Sequence, residues 1–184
     1  MAQQRVKKKP DSPARMVIVL FLITAVSALL LGFVNYKTSD RIAAQEAEKA
    51  AAAMEAVLPA GSYTELAYTG GDDRVAAVYD ADGTGYVVEV KVNGFGGTID
   101  MMVGVADGKV TGTEIISMSE TSGLGSNAKD PTFRDQYIGG GGPFSLAKNG
   151  GTIQALTSAT VTSRAFTAGV NAALDAAAAT GGEG

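Results

Sequence analysis

Residues 157–166 read TSATVTSRAF and put five hydroxyls, on Thr157, Ser158, Thr160, Thr162 and Ser163, into seven residues. The continuation, VTSRAFTAGVNAALDAAAA, spaces Phe166, Val170 and Leu174 at i, i+4 and i+8, as a helix with one core face requires. Hydroxyls at a helix start cap its free amides. Those amides and the helix dipole also favour a bound phosphate. The residue types allow either use, but a cap occupies one or two hydroxyls and this segment has five. The 184-residue chain has no Cys and no His. That removes the thiolate nucleophile, the usual neutral-pH base and the commonest metal ligand. Ordinary hydrolase triads are therefore not expected, no metal site is expected, and redox chemistry would need a cofactor to supply it.

Two other segments have the composition of a binding rim. NGFGGTIDMMVGV, 93–105, has three glycines in four positions, suited to a sharp turn or a close backbone approach. No helix follows, so it is not a dinucleotide fingerprint, and on residue type alone an irregular loop entering a strand is the better account. ETSGLGSNAKD, 120–130, follows a strand-like run. Glu120 and Thr121 offer an acceptor and a donor, and Gly123 and Gly125 expose backbone amides beside Leu124. Its readings are a ligand rim or a glycine-bent connection with a solvated acid.

The net charge of −4 divides into +4 over residues 1–15 and −8 over the rest. A basic tail before an acidic body is not the footprint of a nucleic-acid binder. Residues 16–35, MVIVLFLITAVSALLLGFVN, carry no charge and suffice to span a bilayer as a helix. The positive-inside rule leaves the tail in the cytoplasm and the body outside, with Tyr36 at the outer interface. Expected segments are a basic tail (1–15), a transmembrane helix (16–36), a helical stalk (37–61) capped by Ser39 or Asp40 and ended by Pro59, a body (62–178) and a flexible tail (179–184). Within the body, Asp82-Gly83 and Asp107-Gly108 mark two hairpins, giving about four antiparallel strands over 74–118. DPTFRDQYIG predicts a short helix starting at Pro131, TIQAL a short strand, and 161–179 the long helix. Strands followed by helices give an α+β fold.

The order of a short strand, TSATVTS and a helix, preceded by NGFGGTIDMMVGV and ETSGLG, resembles the covalent-FMN-binding domain. That domain is shared by the G subunit of the Rnf electron-transport complex and the C subunit of the Na+-pumping NADH:quinone reductase. The resemblance covers roughly 75–175. The family's attachment motif, an acid, two variable residues, a small residue, then Gly-Ala-Thr or Gly-Ala-Ser, aligns with Gln154-Ala155-Leu156-Thr157-Ser158-Ala159-Thr160. Gln154 stands for the acid and Ser158 for the glycine, where a positive φ would strain Ser. ETSGLG has Ser122 where the family has Pro.

The resemblance implies FMN joined by a phosphoester to Thr160 by a separate flavin transferase. The backbone of Ala159, Thr160, Val161 and Thr162, with the side chains of Thr157, Ser158, Thr162 and Ser163, would surround the phosphate. Glu120, Thr121, Gly123, Leu124 and Gly125 would line the ring. It further implies an electron-carrier subunit, with no acid–base catalyst of its own, among the membrane, iron–sulfur and flavin subunits of an Rnf-type complex. The other readings are a flavin-free membrane-anchored binding module and a carrier for a different extracytoplasmic chain, such as the Na+-translocating quinone reductase.

Overall fold

The computed structural model describes residues 12–181; most of the basic tail and the last three residues lie outside the described residues. Helix α1 (Pro13–Val57) is continuous, so the expected cap between span and stalk does not form. Thr38 and Ser39 instead return their hydroxyls to carbonyls within the helix, Thr38 Oγ1 to Val34 O at 2.8 Å and Ser39 Oγ to Tyr36 O at 3.2 Å. With no Gly or Pro between Gly32 and Pro59, nothing interrupts propagation. The segment from Met16 to Val34 presents exposed large apolar side chains, and α1 is long and apolar enough to cross a membrane. The chain divides into two units, 1–45 and 46–184.

The second unit is an antiparallel meander of β1 (Thr64–Leu66), β2 (Val75–Asp80), β3 (Tyr86–Asn93), β4 (Thr98–Ala106) and β5 (Lys109–Met118), in that spatial order. Strand β1 is an addition to the four expected; three residues are too few to show alternation. Asp107 and Gly108 take φ values of +51° and +69°, making the tight β4–β5 turn that the dipeptide signals. Strand alternation sorts the side chains onto two faces. Val88, Val90, Met101 and Val103 join the core cluster with Phe166, Val170 and Leu174 of helix α3 (Thr160–Gly181). Val87 and Met102 pack instead with Ala53, Val57 and Leu58, at the end of α1. Paired Gly104 and Gly112 admit that helix end: a Cβ on Gly104 would lie 2.5 Å from Val57 O. Thr111 Oγ1 donates to the same carbonyl at 2.6 Å, satisfying one of the open acceptors of the helix terminus.

Helix α2 (Pro131–Arg134) starts at Pro131, with Asp130 accepting from Thr132 N at 2.8 Å, and continues as a 3-10 turn through Tyr137. The expected TIQAL strand reduces to one bridge between Leu146 and Ile153, because Gln136 engages both the N–H and the carbonyl of Gln154. Helix α3 runs through Gly181, so residues 179–181 are helical rather than part of a flexible tail.

Phe133, Tyr137, Phe144 and Phe166 form an aromatic cluster with centroid spacings of 5.2–5.9 Å. Tyr137 is fully buried; its hydroxyl lies 2.8 Å from Thr167 Oγ1, which donates to Ser163 O at 2.7 Å. Burial pushes the Tyr137 phenol from 10.0 up to about 12. The neutral ring therefore contributes stability that is complete below pH 10 and is lost as pH rises from about 10 through 12, roughly 3 kcal/mol for that shift. Urea titrations across pH 9–12 should record this fall, and Tyr137→Phe should flatten it.

Candidate functional site

Strand β3 ends, β4 begins and β5 ends at one end of the sheet, and α3 starts there. This gathers the 94–97 loop, the 119–125 turn and the hydroxyl-rich segment around one cleft of ≈ 350 Å³. Its lining is Phe95, Glu120, Thr121, Leu124, Gly125 and the run Ser158–Thr162.

The hydroxyls separate by their place at the start of α3: Thr157 and Ser158 stay in the preceding loop, and Thr160, Thr162 and Ser163 lie on the first turn. Ser163 Oγ accepts from Leu156 N and donates to Ala159 O, both at 2.9 Å, folding the preceding loop onto the first turn. It is a buried loop fastener and does not face the cleft. Thr157 lies on the far side of the loop, in a neighbouring hollow with Gly123, Asn127 and Gln154. Thr160 and Thr162 line the cleft. Ser163 N is the first amide to reach back to the preceding loop, donating to Ala159 O at 3.0 Å. The amides of Thr160, Val161 and Thr162 have no acceptor among the described residues. Thr162 Oγ1 is also without a partner although the residue is 1% exposed. Such a hydroxyl costs free energy unless something completes it. Three open amides, the dipole and an orphaned hydroxyl make a receptor for an anion.

Ser158 has φ +61°, so a left-handed residue stands where the aligned motif has Gly. Replacing it with Gly relieves roughly 1–2 kcal/mol of backbone strain and returns about 0.4–1 kcal/mol of unfolded-chain entropy. Ser158→Gly should therefore leave stability unchanged or raise it by up to about 1.6 kcal/mol. Ser158→Val, branched at Cβ, should lose about 1–3 kcal/mol. Chemical unfolding of the two variants measures both.

The opposite wall is braced by its own turn. Leu124 N and Ser126 N donate to Thr121 O, each at 3.2 Å, and Gly123 N donates to Ser126 Oγ at 2.8 Å. Gly123 (φ +75°) thus shapes the turn, with its amide already used. Gly125 is needed for proximity: a Cβ there would lie 2.5 Å from Glu120 Oε2 and 2.8 Å from Thr162 Oγ1. Glu120 accepts from Phe95 N at 2.7 Å and Gly96 N at 3.3 Å, so both carboxylate oxygens are engaged by the 94–97 loop. Phe95, outside the expected set, is 73% exposed on the rim. The flanking glycines drew attention to the backbone; the lone aromatic among them was the available signal.

The FMN-binding domain family matches residues 94–175, a span that contains every lining residue of the cleft. The N-terminal-region family of RnfG matches 12–57. The chain is 32% identical over 179 residues to the G subunit of the Na+-translocating ferredoxin:NAD+ oxidoreductase complex of Acetobacterium woodii, covering 84% of this chain and 86% of that one. The chain belongs to this G-subunit family. The G subunit of an ion-translocating oxidoreductase complex in Methanosarcina acetivorans is 31% identical, over 88% of this chain and 92% of its own. That of the proton-translocating ferredoxin:NAD+ oxidoreductase complex of Clostridium ljungdahlii is 33% identical, over 82% and 83%. Both halves of the G-subunit pattern, the apolar helix and the FMN-binding domain, are therefore present in order. The cleft's chemistry suits that domain: an anion receptor at one end, apolar Leu124 and Val161 beside it, and Glu120 as its one carboxylate, already hydrogen-bonded.

Proposed function

We propose that this chain is the FMN-carrying electron-transfer subunit of an Rnf-type complex, with the flavin held in the α3 cleft by a phosphoester to Thr160. The observation that carries this reading is the convergence of three open amides and the orphaned Thr162 hydroxyl on the wall that contains Thr160. An FMN phosphate supplies the acceptors those groups lack, so the residues fit the group. The bound flavin supplies the redox chemistry. The amides of Thr160, Val161 and Thr162 would hold the phosphate, and Ser158 and Ala159 would shape the turn that presents Thr160. Leu124 would lie against the ring, and Thr121 would meet its polar edge. Glu120 holds the two amides of the 94–97 loop, a structural use of the cleft's carboxylate.

The segment 16–35 would anchor the chain, with Arg5, Lys7, Lys8, Lys9 and Arg15 holding the N-terminus in the cytoplasm and the FMN domain outside. That span has no ionisable residue, so Na+ or H+ movement would belong to partner subunits. A flavin transferase would move the FMN moiety of FAD onto the Thr160 hydroxyl, breaking the FAD pyrophosphate and releasing AMP, and membrane, iron–sulfur and flavin subunits would exchange electrons with it. Expression with and without an active flavin transferase, followed by flavin fluorescence on a denaturing gel, tests the tether. A fluorescent band only with the transferase is expected; a dark band in its presence contradicts the reading.

A further inference from the structure

We propose that Phe95 is a contact residue for the flavin ring and that Glu120 is a positioning residue acting through it. This rests on the FMN reading above and assigns roles the sequence did not. Gly94 N donates to Gly97 O at 2.8 Å, closing a tight turn whose one side chain beyond glycine is Phe95. Gly94 and Gly96 press the turn onto the end of β5: a Cβ on Gly94 would strike Glu120 Oε1, and one on Gly96 the carbonyl of Ser119. Glu120 then accepts from the two successive amides of Phe95 and Gly96. Charge-assisted bonds of this kind are the stronger sort, and a pair of them fixes both position and direction.

The result is an aromatic side chain on a firmly held backbone that is nonetheless left in solvent. Among the described residues of the second unit, the exposed large apolar side chains are Phe95, Leu124, Ile138 and Val161; all but Ile138 line the cleft. Apolar exposure concentrated around one opening marks a surface that a ligand covers. A planar heteroaromatic ring is the occupant that an aromatic and an aliphatic wall suit together. Phe95 therefore shields the ring from water, and Glu120, whose carboxylate faces the loop amides, sets where Phe95 stands.

The test uses the full chain flavinylated in cells. Intact mass first gives the covalent flavin load, and iodide quenching of flavin fluorescence then gives ring exposure. Phe95→Ala should keep the melting temperature and raise the quenching constant of the flavin it carries severalfold. Phe95→Leu should restore most of the shielding. Glu120→Gln, which can no longer accept through both atoms, should fall between wild type and Phe95→Ala. A wild-type quenching constant for the flavin bound to Phe95→Ala, at whatever load, overturns the Phe95 assignment alone. Wild-type shielding in Glu120→Gln overturns the positioning role. A wild-type chain without the mass gain overturns the tether reading and this inference together.

Discussion

Thr160→Ala is expected to abolish covalent flavin completely, and Thr160→Ser to retain it. The other four hydroxyls should not substitute, each for a physical reason. Ser163 Oγ is buried and committed to Leu156 N and Ala159 O. Thr162 Oγ1 is buried at the base of the cleft. Thr157 faces the neighbouring hollow. Ser158 does border the cleft, but its left-handed backbone belongs to the turn that leads into α3. Thr160, half-buried at the first helical position, is the hydroxyl beside the open amides. Denaturing-gel fluorescence and intact mass read the outcome directly. Residual loading of Thr160→Ala on Ser158 would contradict the assignment of Thr160.

Gly125→Ala is expected to have the second-largest effect. The added methyl would sit 2.5 Å from Glu120 Oε2 and 2.8 Å from Thr162 Oγ1. Neither neighbour yields easily. Glu120 is bonded to the Phe95 and Gly96 amides, and Thr162 is on the first turn of α3. Overpacking of this kind costs about 1–3 kcal/mol. It also pushes apart the two cleft walls, so flavin loading should fall along with the urea midpoint. Destabilisation with wild-type loading would mean that this contact is structural and does not shape the cleft.

Parts of this arrangement are visible in residue types alone. Asp107-Gly108 signals its turn because positive φ at consecutive positions favours such residues. Phe166, Val170 and Leu174 mark the buried face of α3 because their spacing follows the helical period. Pro131 opens α2, with Asp130 before it as the cap. Other parts depend on tertiary partners. The unbroken α1 was hidden because Ser39 and Asp40 are possible caps by type, whereas both lie inside the helix and Ser39 bonds back to Tyr36 O. TIQAL is strand-like by propensity, but Gln136 takes the backbone bonds of Gln154. The hydroxyl cluster was conspicuous, while its division into a fastener at Ser163, an open hydroxyl at Thr162 and an outlier at Thr157 depends on where α3 begins, with Thr157 left in the loop before it. Glu120 was legible as an acceptor; that its donors are the amides of a loop 24 and 25 residues earlier was not.

The central claim is a flavin joined at Thr160, and fragmentation of a single tryptic peptide tests it most directly. Cleavage after Lys148 and Arg164 releases residues 149–164, which carry all five clustered hydroxyls. In protein purified from cells with an active flavin transferase, that peptide should be heavier by FMN minus one water, with the added mass localised to Thr160. An unmodified peptide from such cells, or the added mass on any of the other hydroxyls, would contradict the account.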